Sequence, residues 1–345
     1  MQIIINAGGT GTRLWPLSTS NKPKQFSAII DSETLIEKTL KRMIKLTSEE
    51  NIWISTNVRY SKLLKTILPN FRSDRVIIEP EKRDTFAAIC SNAAVVAGQT
   101  SINETIINIQ ADAYIPEHET EIYLESLRTI DQAIQNNSYE FMTIGVKPSF
   151  ANTGLGYVQI NENDKLNAFK NPVKVERFTE KPDQETANKF LEEGNYLWHW
   201  GTHSFTYKQL IQTLEINSPE SISLLNVIQE SGEINKEVYN QLPKVAFEYV
   251  VTEKIKNLGI IAINVSWDDI GTWQTVYNYL PNLLPDTNHI ELAGRGNKIK
   301  TNNQNLKVAF VGVSNLLVVQ TEDGLLIMNP DNHSEIKQVS NYFDK

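Results

Sequence analysis

The chain has one cysteine, Cys90, so it can form no internal disulfide and offers no set of thiolates for a metal cluster. Cys90 lies in a stretch with helical spacing and reads as a small apolar packing residue rather than a nucleophile. Long apolar runs are missing too. Nothing approaches the roughly 18 residues of a membrane span, and the Ile3 to Ile5 run is too short for a signal peptide. A cytoplasmic protein with no membrane partner is expected. Basic residues are the minority, 33 against 41 acidic, for a net charge of −8. A chain of that sign repels a phosphate backbone, and no basic cluster overrides the average, so nucleic acid is not an expected partner. Binding an anionic small molecule would require a local exception, with positive side chains and main-chain donors gathered in one place.

What is present is an ordinary globular composition, 40% apolar and 21% charged over 345 residues, enough for a large core. Short β-rich runs alternate with helical patterns: Gln2 to Asn6, Ser32 to Lys45, Asn51 to Ser55, Arg75 to Ile78, Thr85 to Ala97, Thr105 to Ile109, Glu117 to Gln135 and Glu140 to Val146. That alternation predicts an α/β fold, a mostly parallel central sheet flanked by helices, Rossmann-like in class. After Lys147 the regularity loosens into short strands at Tyr157 to Ile160 and Val173 to Phe178, followed by helices at Gln184 to Glu193, Tyr207 to Leu214 and Ser218 to Gln229. Near the end, Lys307 to Gly312, Asn315 to Gln320 and Gly324 to Met328 are closely spaced β-branched runs joined by turn residues. They predict a small C-terminal β appendage that would suit a few coils of a β-helix. The Pro281 to Pro285 stretch predicts a boundary between a large domain, 1–280, and a small β-rich domain, 281–345.

The first strand passes at once into Ala7-Gly8-Gly9-Thr10-Gly11-Thr12-Arg13. Three glycines remove side chains there, so main-chain N–H groups can approach a phosphate closely. Two familiar motifs fit badly. In the dinucleotide pattern that begins at Gly9 and Gly11, Leu14 replaces the third glycine, and the P-loop ending of Gly-Lys-Ser/Thr is Gly11-Thr12-Arg13 instead. A bare glycine cluster is often only a turn. Here charge follows it: Arg13 in the loop, then Lys22 and Lys24 on either side of the rigid Pro23. A guanidinium and an ammonium aimed at one phosphate cluster suit phosphoryl or nucleotidyl transfer, where charge builds on phosphate oxygens.

The run Gly8 to Ser18, with Trp15-Pro16 inside it, together with Pro23-Lys24-Gln25-Phe26, resembles the signature of the mannose-1-phosphate guanylyltransferases. These belong to the sugar-phosphate nucleotidyltransferase superfamily. The resemblance implies GTP and a sugar 1-phosphate as partners, with Ala7, Gly8, Gly9, Thr10, Gly11 and Thr12 on the nucleotide and Arg13 and Lys24 as catalytic groups. Glu79-Pro80-Glu81-Lys82-Arg83-Asp84-Thr85 is similar to the family segment around the guanine, which implies base contacts from Glu79, Arg83 and Thr85. Asp84 stands where an Asn is usual.

Nucleotidyl transfer generally uses a divalent cation, and Mg²⁺ takes one or two carboxylates besides phosphate oxygens and water. Asp112 follows the apolar strand ending at Ile109, at the carboxyl end of a sheet strand where open α/β folds bind ligands. Asp269 lies in Trp267-Asp268-Asp269-Ile270-Gly271-Thr272-Trp273. Either could be a cap or a surface charge on spacing alone. The resemblance implies that both hold Mg²⁺, since they match the Asp of the family's Ala-Asp-His and Trp-Ser-Asp-Val-Gly-Ser-Trp motifs.

On the sugar side the resemblance implies roles for Gly156, Glu180, Lys181 and His199. Departures gather there: Trp198-His199-Trp200-Gly201-Thr202-His203 replaces the family's Trp-Asn-Ser-Gly-Met-Phe, and Gln110 and Ala113 replace a Pro and a His. A different sugar is thus an alternative, as is a nucleotide-sugar-binding regulator that has lost turnover. His199 and His203 are four apart, but Trp200 and Gly201 follow His199 where the helical zinc motif needs a Glu, so that reading is set aside. The resemblance also implies a homo-oligomer such as a dimer, and the length leaves no room for the fused isomerase domain of longer relatives.

Overall fold

The run Ile3-Ile4-Ile5 has no exposed face: all three side chains are fully buried in strand β1 (Gln2–Asn6). A strand is apolar on both sides only when both faces of its sheet are covered. That is its position in this computed structural model, which describes residues 1–9, 11, 13–266, 270–280, 289–303 and 305–343. β1 is joined in parallel by β2 (Ile52–Asn57) and β4 (Thr105–Gln110), and β2 in turn by β3 (Val76–Glu79). The crossovers are helical, as parallel neighbours require: α1 (Leu35–Ile44), α2 (Ser61–Ile67) and α3 (Asp84–Gln99). α4 (Thr120–Gln135) then leads to β5 (Phe141–Val146).

The segment after Lys147 adds to this sheet rather than forming a layer of its own. It supplies β6 (Tyr157–Ile160), β7 (Val173–Thr179), α5 (Gln184–Glu193), β8 (Tyr196–His199) and β9 (His203–Thr206). After them come α6 (Tyr207–Asn217), α7 (Glu220–Ser231), α8 (Lys236–Tyr239), α9 (Phe247–Val250) and β10 (Leu258–Ile263). The ten strands run in the order β10-β7-β6-β8-β5-β9-β4-β1-β2-β3, with β10 also against β5. The expected α/β sheet flanked by helices is therefore present, with the parallel set β4-β1-β2-β3, the parallel pair β5 and β10, and antiparallel strands between them. One face packs Ile4 and Ile106 against α3, α6 and α7; the other packs Ile3, Ile5 and Ile107 against α1 and α4. Cys90 sits in the first of these cores, where burial pushes its thiol far above the ordinary range.

α10 (Trp273–Tyr279) precedes the C-terminal strands β11 (His289–Leu292), β12 (Lys298–Thr301), β13 (Val308–Val311), β14 (Leu317–Gln320) and β15 (Leu325–Met328), and α11 (Ile336–Phe343) ends the described chain. β11 pairs in parallel with β13 and β12 with β14, which is the winding of β-helix coils; β15 closes on β14 antiparallel. The expected boundary at Pro281 lies outside the described residues. A separate core of Leu14, Trp15, Trp273, Leu317, Val319 and Met328 joins this appendage to the loop after the glycine turn. Trp15 stacks on Phe343 with centroids 5.1 Å apart, and its carbonyl accepts from Trp273 Nε1 at 2.9 Å. No helix among the described residues is long and apolar enough to cross a membrane.

Candidate active site

The glycine turn leaves the carboxyl end of β1 with its carbonyls already engaged. Gln25 Nε2 donates to the carbonyls of Ala7 at 2.9 Å and Gly9 at 2.7 Å, and Asn57 Nδ2 reaches that of Gly8 at 3.4 Å. Fixing the carbonyls on the protein side turns donors the other way. The amides of Gly8, Gly9 and Gly11 meet no acceptor among the described residues. Thr10 and Thr12 lie outside the described residues. Gln25 thus holds the turn's carbonyls, a role that the motif containing it does not announce in the sequence. Its signal was an amide, the one neutral side chain able to bridge two carbonyls, in the middle of an otherwise charged and aromatic triplet.

A short 3-10 turn, Lys24–Phe26, then carries Lys24 inward to 8% exposure, whereas Lys22 is exposed. A lysine that dry needs a partner, and Nζ lies 2.9 Å from Asp112 Oδ2, just beyond the end of β4. The lysine stem lies against Gly11, whose φ is +32° and where a Cβ would come within 2.7 Å of Lys24 Cγ. Arg13 is exposed at the outer end of the turn and makes no ion pair among the described residues. The Asp112 carboxylate, 31% exposed, is open enough to exchange its ammonium partner for a hydrated hard cation, so it fits Mg²⁺. Asp269 lies outside the described residues.

Beside the turn is a cavity of about 210 Å³ lined by Gly8, Gly9, Glu79, Arg83, Thr85 and Gln110 among others. Glu79 ends β3 almost fully buried, and burial raises its carboxyl above the usual range against hydrogen bonds from Ser55 Oγ at 2.5 Å and Asn92 Nδ2 at 3.3 Å. Its Oε2 faces the turn, 3.4 Å from where a Cβ on Gly8 would stand. Arg83 and Thr85 line the cavity with their polar atoms otherwise employed. The Arg83 guanidinium donates to the Leu242 carbonyl at 2.8 Å, and Thr85 Oγ1 accepts from Phe247 N at 2.8 Å. Asp84 has φ +64°, a left-handed conformation that Asn and Asp tolerate best, and its carboxylate accepts from the Thr85 amide at 2.8 Å. The Asp in place of a usual Asn therefore serves the backbone turn.

Gly156, Glu180, Lys181 and His199 lie together. A Cβ on Gly156 would lie 2.7 Å from Glu180 Oε2 and 3.4 Å from His199 Cβ, so a side chain there would push the Glu180 carboxylate aside. Lys181 Nζ pairs with Glu180 Oε1 at 2.6 Å. Burial works to lower Lys181, but its hydrogen bond to Glu180 and the charges of Glu180 and Glu248 together outweigh that and raise it, while Glu180 is itself raised, by burial first. His199 and His203 lie on strands, and the bend at Gly201 (φ +80°) still brings their rings to 5.0 Å. His203 Nε2 is 3.2 Å from Glu248 Oε1. Burial would raise Glu248, yet the hydrogen bond and charge of His203 hold it at about 2, while burial pushes His199 down to about 3. Glu248, at the start of α9, was not singled out in the sequence, where it is one acidic residue in a short helical stretch.

A family model described as nucleotidyl transferase matches residues 2–284. The chain belongs to the nucleotidyl transferase family. A second model, described as a MannoseP isomerase/GMP-like beta-helix domain, matches residues 287–341, the coiled strands of this nucleotidyl transferase. It is 29% identical to mannose-1-phosphate guanylyltransferase RfbM of Salmonella typhimurium, over 99% of this chain and 72% of that one. To a mannose-1-phosphate guanylyltransferase of Escherichia coli it is 25% identical over 99% of this chain and 75% of the relative. A solved structure from Thermus thermophilus, described as mannose-1-phosphate geranyltransferase, superposes with a TM-score of 0.85 at 26% identity and covers 100% of this chain and 99% of that one.

Proposed function

We propose that this nucleotidyl transferase moves GMP from GTP to mannose 1-phosphate, giving GDP-mannose and pyrophosphate. The observation that carries the reading is the pairing of glycine amides that meet no acceptor among the described residues with the buried Lys24 and its partly exposed partner Asp112 at one end of the sheet. A phosphate oxygen of the sugar phosphate attacks the α-phosphorus of GTP, a new P–O bond forms, and the bond to the β-phosphate oxygen breaks in line. The electron pair leaves with pyrophosphate. No general base is needed, because a phosphate monoester is already largely a dianion near neutral pH, its second pKa being roughly 6.

The amides of Gly8, Gly9 and Gly11 and the side chain of Arg13 would hold the triphosphate, with Ala7, Thr10 and Thr12 completing the turn. Lys24 would stabilise charge building on the α-phosphate, which in low dielectric is worth far more than in water. Glu79 would accept from the N–H edge of guanine, with Arg83 and Thr85 shaping the wall beside it. Asp112 and Asp269 would hold Mg²⁺, which when bound offsets the triphosphate charge. Gly156, Glu180, Lys181 and His199 would take the sugar phosphate, and residues 1–280 and 281–345 would be the catalytic and β-helical units.

The His199, His203 and Glu248 group favours one second reading, the same transfer to another sugar 1-phosphate, because it puts imidazoles where hydroxyls would be read. Pyrophosphate release measured with GTP, ATP, UTP and dTTP against mannose, glucose and galactose 1-phosphates decides between them. The first reading expects GTP with mannose 1-phosphate to have the highest kcat/KM by at least tenfold. A higher value for any other pair would replace it.

A further inference from the structure

We propose that Glu180, His199 and Glu248 form a site for a divalent transition-metal ion, distinct from the Asp112 carboxylate. One ligand atom from each lies within 4.8 Å of the other two. Ligands held at about 2.0–2.2 Å from one ion are roughly 3–4 Å apart, so a small side-chain movement closes the set. His199 is 95% buried, and its Nε2 has no hydrogen-bond partner. The side chains of Glu180 and Glu248 are only 6% and 11% exposed.

Every member of the group is held from outside. Lys181 Nζ meets Glu180 at 2.6 Å; His203 Nε2 and Thr85 Oγ1 meet the two oxygens of Glu248 at 3.2 Å and 3.4 Å. The backbone of Thr202 takes the remaining hydrogen bond of His199, and Phe178 packs edge-on against its ring at 5.0 Å. Outer partners of this kind orient metal ligands and fix the imidazole tautomer. What faces inward is a lone pair on nitrogen and lone pairs on two carboxylates. Three acceptors converging in a nearly dry space, two of them like-charged, are costly unless a cation or several donors lie among them. One imidazole with two carboxylates is a borderline donor set that suits Zn²⁺, Mn²⁺ or Co²⁺ better than the all-oxygen shell of Mg²⁺.

The experiment uses the full chain, dialysed against EDTA and then titrated with Zn²⁺ and with Co²⁺ in excess Mg²⁺, with bound metal read by calorimetry and by the visible Co²⁺ spectrum. The expected result is one tight Zn²⁺ per chain, lost by at least 100-fold in affinity in both His199→Asn and Glu248→Gln, and retained in Asp112→Asn. Circular dichroism shows that each variant is folded, and two independent ligand variants keep the test open if one of them is not. No stoichiometric Zn²⁺ uptake, or uptake unchanged in both ligand variants, overturns the proposal. The readout is metal binding, so it stands whether or not the reaction proposed above is the right one.

Discussion

Lys24 Nζ and Asp112 Oδ2 lie 2.9 Å apart, one on the turn after β1 and the other just past β4. Each residue is the other's counter-ion, so both are held in place. Lys24→Met should lower kcat by roughly 10²–10³, in the range seen when one preorganised charge-stabilising donor is removed, with a smaller change in KM for GTP. Pyrophosphate release at saturating substrates measures it. Turnover near that of the unaltered enzyme, with an intact fold, would take Lys24 out of the reacting centre.

Gly11→Ala tests the same lysine from the other side. The new methyl would sit 2.7 Å from Lys24 Cγ at a backbone φ of +32°. The lysine stem can swing aside but the positive φ strains any Cβ, so the melting temperature should fall by a few degrees while kcat drops at least tenfold. A large loss of stability with full activity in the folded fraction would mean the glycine serves folding alone.

Glu79→Gln should separate stability from function. Burial raises the Glu79 carboxyl above its ordinary 4.5, so the folded protein holds that proton more tightly than the unfolded chain. Its favourable contribution is present at pH below 4.5 and is lost as pH rises through the elevated value, so that at neutral pH the ionised group opposes folding. The amide variant should therefore melt a few degrees higher at pH 7.5, and the gain should vanish near pH 4.5. GTP affinity should fall at least tenfold, because an amide that keeps its oxygen on Ser55 and Asn92 turns an NH2 donor, instead of the acceptor Oε2, toward the N–H edge of guanine. Unchanged GTP affinity in a calorimetric titration would remove Glu79 from base recognition.

Gly324→Val probes the contact between the appendage and the signature loop. A Cβ at Gly324 would lie 2.8 Å from the Trp15 ring, which is pinned by its stack on Phe343. Overpacking of this kind costs about 1–3 kcal/mol, so the melting temperature should drop by several degrees, and KM for the nucleotide should rise because the glycine turn leads directly into Trp15. A lower melting temperature with an unchanged KM would show that the contact is purely structural.

Much of this site lies along one contiguous piece of chain and is legible there. β1 spans Gln2–Asn6, one residue beyond each end of the Ile3 to Ile5 run, the glycines follow soon after, and Lys24 stands beyond a rigid proline. Helix α5 matches its periodicity to the residue because Asp183 caps it, accepting from Thr186 N, and Gly194 stops it with a left-handed φ of +69°. The antiparallel insertion was harder to read, since short strands such as β8 and β9 carry no signal for which neighbour they will choose. Arg83 illustrates the limit for single residues: its segment was recognisable, but the Leu242 carbonyl that it holds is remote in sequence.

The sequence by itself determined the class of fold, the glycine turn after the first strand and the cations near it, because strand burial, glycine conformation and charge act over a few neighbouring residues. Only the tertiary structure decided that Lys24 meets Asp112, that Gln25 holds the turn's carbonyls, and that His199 faces Glu180 and Glu248. Those relationships depend on long-range packing and on which polar groups are taken out of water together, and spacing along the chain encodes neither.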